Sequence, residues 1–320
     1  MSGSTRSTVA DLEVSLGVLL QDRRVLVAWR PAGVPQGGCW EFPGGKRESG
    51  ETAAAAARRE VVEETGLRIT AMRPLITVPH RYADRSVRLS VWLATRWEPE
   101  EAPASERLLR WVAIDELAEL SMPPANRAIV QALRLPPLYL VTGPHEGNDD
   151  AFVTRLTDLV PRRATLVYLR PDLSDAEAYG RLARQVARAL TGQDAQLMVR
   201  DDAPLAEALG CGLHLSSAAL RELQGRPLPV GQMVAASCHN AQELRCAEQL
   251  GLDFVTLSPV LATRSHPGTA ALGWERFARL ADSAALPVYA LGGMTPRLLY
   301  RARRAGAQGV ALRSALWGRS

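Results

Sequence analysis

The stretch Gly45–Leu67, GKRESGETAAAAARREVVEETGL, places Gly45, Glu51, Arg59, Glu60, Val61, Glu63, Glu64, Gly66 and Leu67 in the spacing G-x5-E-x7-R-E-U-x-E-E-x-G-U, where U is a bulky aliphatic residue. Its middle is rich in alanine, the strongest helix former, so residues 52–64 predict a helix that Gly66 stops. Glu60, Glu63 and Glu64 are spaced i, i+3 and i+4 and share a helix face. Three carboxylates there repel unless a cation lies between them. Hard divalent cations such as Mg2+ or Mn2+ take oxygen ligands of this kind together with substrate phosphates. Arg59 is placed to pair with the cluster and hold its geometry. Glu51 is expected to open the helix, where the dipole favours an acid. Gly44 and Gly45 predict a tight loop that brings backbone close to a ligand. The alternative is a solvated acidic helix with a chance cluster, and the number of fixed residues at fixed spacing weighs against it.

Working outward, 320 residues suit two domains, and 47% hydrophobic content is that of a globular protein. The net charge of +4 comes without a Lys/Arg block, so anionic small molecules rather than a nucleic-acid polymer are the expected partners. Cys39, Cys211, Cys238 and Cys246 form no C-x-x-C pair and predict reduced thiols. The polar N-terminus lacks a signal-peptide core and no apolar run reaches membrane-spanning length, so a soluble, cytoplasmic protein is expected.

Around the acidic helix, strands are expected at 14–20, 24–29, 74–79, 87–95 and 109–114, Asp115 as the N-cap of a short helix, and a last helix over 127–133. The quoted pattern is the Nudix box, and the first half resembles the Nudix hydrolases, most of all their MutT branch. Trp40-Glu41-Phe42-Pro43-Gly44-Gly45-Lys46, Trp92-Leu93 with Arg96-Trp97-Glu98, and Pro123-Pro124-Ala125-Asn126 carry the likeness. It implies an α/β/α sandwich on a mixed sheet. It also implies metal held by the Gly44 carbonyl, Glu60, Glu63 and Glu64, with Arg59 beside these catalytic acids. Substrate would be bound by Arg30, Glu41, Phe42, Pro43 and Asn126. An amide at Asn126 offers both a donor and an acceptor to a base edge, though the same residue also suits a helix N-cap. Phe42 suits either the base pocket or the core. The branch carries a further glutamate before its last strand. Here Ser105 aligns with it and Glu106 is adjacent, which leaves the general base open.

After Arg134-Leu135-Pro136-Pro137 the texture changes. Short apolar segments at 138–142, 165–170, 196–200, 212–216, 233–237, 254–259, 287–292 and 309–313 alternate with helical stretches and predict a (β/α)8 TIM barrel. Domains of 1–134 and 138–320 follow, and the second is short enough that some connections should be loops. Gly292 and Gly293 end strand seven, and Ser314 follows strand eight, the usual phosphate position of such barrels. Glycines there also suit a plain turn.

The second half resembles thiamine phosphate synthase and its tautomerase relatives. The likeness lies in Leu138-Tyr139-Leu140-Val141-Thr142, Gly212-Leu213-His214-Leu215, Ser237-Cys238-His239-Asn240, Ser258-Pro259-Val260 and Leu291-Gly292-Gly293-Met294. It implies a ligand site with Arg170, Asp201, Ser237 and His239. Several of the family's residues are replaced. Its Q-x-R-x-K reads Tyr168-Leu169-Arg170-Pro171-Asp172, its Asn-Asp pair reads Arg200-Asp201, a second metal-binding aspartate falls near Ala219, and its lysine loop reads Thr263-Arg264-Ser265-His266.

The expectation is metal-dependent hydrolysis of an oxidised guanine nucleoside triphosphate, 8-oxo-dGTP, to 8-oxo-dGMP and pyrophosphate, with a barrel of degenerate or altered activity. The alternatives are a bifunctional thiamine-pathway protein, and a barrel that only senses a phosphorylated, thiazole-like ligand.

Overall fold

The computed structural model describes residues 12–34, 37–82, 85–100, 107–163, 166–263 and 270–317. The chain divides into two compact units that meet at Arg134 and Leu135. Among the described residues no helix is long and apolar enough to cross a membrane. All four cysteines are free thiols.

The first unit is an α/β/α sandwich on a mixed sheet. Its strands are β1 (Leu12–Gln21), β2 (Arg24–Arg30), β3 (Cys39–Glu41), β4 (Gly44–Lys46), β5 (Leu67–Arg81), β6 (Ser86–Pro99) and β7 (Leu109–Ala113). The path runs β3-β2-β1-β6-β5, with β4 on β1 and β7 on β2. β1 runs parallel to β6, and β5 and β6 form a long antiparallel hairpin. The expected strands 74–79 and 87–95 are the centres of that hairpin. Its register shifts beside Pro74, where a residue without an N–H cannot serve the ladder.

The acidic helix α1 spans Ala53–Thr65. Thr52 is its N-cap and accepts from the Ala55 amide, a contact worth about 1 kcal/mol. Gly66 closes it in the left-handed conformation. Ala56, Ala57 and Val61 form its buried face. Gly17 on β1 lets that face approach, because a Cβ there would lie 2.4 Å from Val61 Cγ2.

Three local expectations are corrected. Gly44 and Gly45 belong to β4, paired with Leu16 and Ser15, rather than to a loop. Glu51 lies before the N-cap, outside the helix. Asp115 lies in the first turn of a 3-10 helix, Ile114–Glu119, whose cap position is Ala113; it pairs with Arg23 instead. The last helix, α2, begins at Asn126 and runs to Arg134.

The second unit is a closed parallel barrel of β8 (Leu138–Val141), β9 (Leu166–Tyr168), β10 (Gln196–Arg200), β11 (Gly212–Leu215), β12 (Val234–Cys238), β13 (Phe254–Leu257), β14 (Val288–Ala290) and β15 (Gly309–Leu312). Helices α3 (Asp149–Arg163), α4 (Ala176–Leu190), α5 (Ala203–Leu209), α6 (Ser217–Glu222), α7 (Ala241–Gln249), α8 (Gly273–Asp282), α9 (Leu299–Arg304) and α10 (Ser314–Trp317) follow the strands in turn. The short span is therefore met by shrinking α5, α6, α9 and α10 to a turn or two rather than by replacing them with loops. Alternation decides the packing. Tyr139 and Val141 fill the barrel with Tyr168, Met198, Phe254 and Tyr289, while Leu140, Val167 and Val199 face the helices.

Candidate active site

Arg59 is the hub of the acidic helix. Its Nε and Nη2 donate to the two oxygens of Glu51 at 3.2 and 3.1 Å, a fork that only a guanidinium makes. Its Nη1 lies 2.8 Å from Glu60 and 3.3 Å from Glu63, and Nη2 also reaches the Lys46 carbonyl at 3.1 Å. This grip holds the Glu51 carboxyl below the usual carboxylate range. Glu64 turns elsewhere. Its Oε2 accepts the Gly44 amide at 3.2 Å and its Oε1 faces Arg107 Nη1 at 2.9 Å. Burial pushes Glu64 up to about 7, against the pull of Arg107 and the Gly44 amide.

The three glutamates thus divide between two arginines rather than converging. Among the described residues no three His, Cys, Asp or Glu side chains gather into a metal cage. The donor set still suits a hard divalent cation. It is all oxygen, and Glu64 is a half-buried carboxylate whose desolvation outweighs the pull of Arg107. Gly45 lets the Glu60 carboxyl lie against β4, since a Cβ there would sit 2.3 Å from a Glu60 oxygen.

Beside this helix opens a cavity of about 230 Å3, with Arg30, Glu41, Phe42, Gly44, Gly45 and Asn126 in its wall. Phe42 is 1% exposed, so it is both a core residue and a wall of the cavity. Arg30 donates to both oxygens of Glu41 at 3.2 and 3.1 Å. Asn126 opens α2, its backbone amide bound to the Pro123 carbonyl at 2.9 Å. Its side chain is buried, and its Nδ2 has no hydrogen-bond partner among the described residues. Pro43 stands behind the wall, its carbonyl accepting from Gly17.

In the barrel, His214 is fully buried among Tyr139, Tyr168 and Phe254. It contacts the Tyr139 hydroxyl at 2.9 Å and Ser237 Oγ at 3.0 Å. Burial lowers its pKa to about 3, helped by Arg170. Arg170 follows β9 and its amide binds Thr142 Oγ1 at 2.8 Å. Asp201 is exposed at positive φ and accepts the Ser216 amide at 2.6 Å. His239 is exposed, and its Nδ1 lies 2.8 Å from the Ser258 carbonyl. A carbonyl only accepts, so this contact puts the proton on Nδ1 and leaves Nε2 as the acceptor. Gly292 and Gly293 take φ of +96° and +68° against Pro259 and Leu261. Ser314 begins α10, but its side chain lies outside the described residues.

Residues 15–132 match the family model of the NUDIX domain, and residues 138–316 match that of thiamine monophosphate synthase. The 8-oxo-dGTP diphosphatase of Proteus vulgaris is 42% identical over 90 residues, 28% of this chain and 80% of the relative. That of Escherichia coli K12 is 29% identical over 124 residues, 38% and 96% of the two chains. The thiamine-phosphate synthase of Azorhizobium caulinodans is 32% identical over 190 residues, 56% and 86%. This chain is a Nudix hydrolase joined to a member of the thiamine monophosphate synthase family.

The lead-in residues Glu41, Phe42, Gly44, Gly45 and Lys46 line the cavity with Arg30 and Asn126, whereas Arg59, Glu60, Glu63 and Glu64 are not among its lining residues. Ser105 and Glu106, the two candidates for the further acid, lie outside the described residues. Arg107, beside them, was missed by sequence reasoning, although it joins Glu41 at 3.1 Å to Glu64. Tyr82 and Arg85 were missed too, and both border the cavity. Their signal in the sequence was a position between the two strands that follow the box. In the synthase-family half, the replaced residues are built into the scaffold. Asp172 pairs with Arg313 at 3.0 Å, and Arg200 packs over the Tyr179 ring and donates to the Leu173 carbonyl. Arg264, Ser265 and His266 lie outside the described residues.

Proposed function

We propose that the unit spanning 1–134 hydrolyses 8-oxo-dGTP to 8-oxo-dGMP and pyrophosphate and so clears an oxidised guanine nucleotide from the precursor pool. The observation that carries this reading is Asn126, a buried amide in the cavity wall whose Nδ2 has no partner among the described residues. A donor buried without a partner costs about 1–3 kcal/mol. An acceptor on a bound purine removes that cost, and the amide oxygen accepts a hydrogen bond in return.

The Gly44 carbonyl, Glu60, Glu63 and Glu64 would hold Mg2+ or Mn2+, which neutralises triphosphate charge and lowers the pKa of the attacking water. Arg59 holds Glu60 and Glu63 in place. Phe42 and Asn126 position the base, and Arg30 with Glu41 closes the charged side of the cavity. Water attacks a phosphorus, the bond to the bridging oxygen breaks, and pyrophosphate leaves. A carboxylate accepts the water's proton, and Glu106 is the sequence candidate.

The test compares pyrophosphate release from 8-oxo-dGTP, dGTP and thiamine diphosphate with Mg2+ or Mn2+. A kcat/KM for 8-oxo-dGTP no higher than for dGTP sinks the sanitising reading. Preference for thiamine diphosphate supports the thiamine-pathway alternative instead. Glu64→Gln should abolish turnover while the melting temperature holds.

For the unit spanning 138–320 we propose a site for a phosphorylated, thiazole-like ligand with altered catalysis. Among the described residues no acceptor is found for the amides of Gly292 and Gly293, which supports a phosphate cradle there. Asp172 and Arg200, tied into ion-pair and stacking contacts, support the loss of synthase chemistry. Titration of the intact chain with thiazole phosphate tests this; no heat of binding removes the site.

A further inference from the structure

Glu64 is tethered on both oxygens, by the Gly44 amide at 3.2 Å and by Arg107 Nη1 at 2.9 Å. The same Arg107 nitrogen lies 3.1 Å from Glu41 Oε1. One corner of a guanidinium therefore serves a carboxylate of the cavity and a carboxylate of the helix at once. The three side chains are 28%, 16% and 11% exposed, so solvent screens them less than it screens a surface pair. Arg59, which answers Glu60 and Glu63, makes no contact with Glu64 among the described residues. Arg107 is thus the cationic side chain paired with Glu64.

Glu64 can turn fully to a divalent cation only by releasing Arg107. That release strands no charge, because Arg107 keeps Glu41. We propose that Arg107 is a built-in counter-ion of Glu64 that competes with the divalent cation, and that Glu41 sets the strength of this competition by holding Arg107 between two carboxylates. The inference rests on the reading of Glu64 as a cation ligand.

Two variants then move cation affinity in opposite directions. Arg107→Gln removes the competitor. Glu41→Gln removes one of the carboxylates that draw Arg107 away from Glu64 and so strengthens the competitor. A general field effect of two separate charges would add in the double variant. Under the proposal the effect of Glu41→Gln shrinks once Arg107 is gone, to what the loss of the Arg30–Glu41 pair exerts by itself.

The experiment measures Mn2+ binding to the full chain without nucleotide, by the paramagnetic resonance signal of the free ion. Thermal melts check that each variant is folded. Arg107→Gln is expected to tighten Mn2+ binding several-fold and Glu41→Gln to weaken it several-fold, with the double variant binding more tightly than the two single effects added together. Unchanged or weaker binding in Arg107→Gln overturns the proposal, as does additivity in the double variant. If Arg107→Gln does not fold, Glu41→Gln decides alone, and unchanged or tighter binding in it overturns the proposal. Glu64→Gln separates the two levels. If it leaves Mn2+ binding intact, the ligand reading itself fails. If it abolishes binding while Arg107→Gln fails to tighten it, only the competition fails.

Discussion

Arg59 and Glu60 adjoin in sequence, and their side chains are joined as well, Nη1 to Oε1 at 2.8 Å. Consecutive helix residues point about 100° apart, so this contact forms only because Arg59 is swung over by its fork onto Glu51. Arg59→Ala is expected to lower kcat/KM by about 10–100-fold, the usual cost of losing a group that orients metal ligands. Arg59→Lys keeps the charge but not the fork, and should recover only part. Steady-state kinetics with saturating Mg2+ checks both.

Gly45 separates catalysis from folding. A Cβ there meets the end of the Glu60 side chain, which can swing away by giving up its contact with Arg59 without moving the backbone. Gly45→Ala should therefore lose turnover while its melting temperature stays within a few degrees of the parent. A large fall in melting temperature with activity retained would contradict the geometry.

Asn126→Ala tests the base pocket. Preference for the oxidised base over dGTP should fall by about 10–100-fold, the value of about 1–3 kcal/mol for a base-edge contact. Stability should barely change, because the Nδ2 has no protein partner to lose. Ratios of kcat/KM together with denaturation midpoints provide the check.

His214 links the barrel's stability to pH. Its folded pKa is depressed from 6.5 to about 3 by burial, with Arg170 adding to the effect. Its contribution is complete above pH 6.5 and is lost as pH falls from there towards 3. In that window the unfolded chain binds a proton that the folded chain refuses, so stability falls by about 1.4 kcal/mol per pH unit. Urea denaturation of the wild type and His214→Asn between pH 7 and 5 should show the steeper fall in the wild type.

Gly292 and Gly306 form a controlled pair. Both have positive φ, +96° and +88°. At Gly292 a Cβ would also lie 2.8 Å from Pro259, whereas at Gly306 its nearest contact would be an ordinary 3.6 Å to Ala281. Gly292→Ala should cost more than the about 1–3 kcal/mol of backbone strain expected for Gly306→Ala, and should weaken thiazole phosphate binding. Equal melting temperatures for the two variants would remove the steric argument.

Much of the architecture was legible in the chain. The eight apolar segments of the second half all became barrel strands, because alternation between strand and helix is written in local periodicity. The acidic helix was legible within a residue, because alanine propensity and a glycine stop are local properties. The misreadings had non-local causes. Gly44-Gly45 reads locally as a loop because glycine signals turns, yet pairing with Leu16 and Ser15 makes it a strand. Asp115 looked like a cap, yet the chain entered the turn at Ala113 and left Asp115 to Arg23.

The sequence by itself determined that Glu60, Glu63 and Glu64 lie on adjoining turns of one helix, because 3.6 residues per turn follows from the backbone alone. It also determined that an aromatic and an amide, Phe42 and Asn126, belong to the same half of the chain. Only the tertiary structure decided which cation meets which carboxylate. Glu60 and Glu63 went to Arg59, and Glu64 to Arg107, a residue beyond the reach of any helical spacing. It also decided that Asn126 is buried with an unpartnered donor beside Phe42. Pairings of this kind depend on strand register and on how closely α1 seats on the sheet over Gly17, and no periodicity in the chain encodes them.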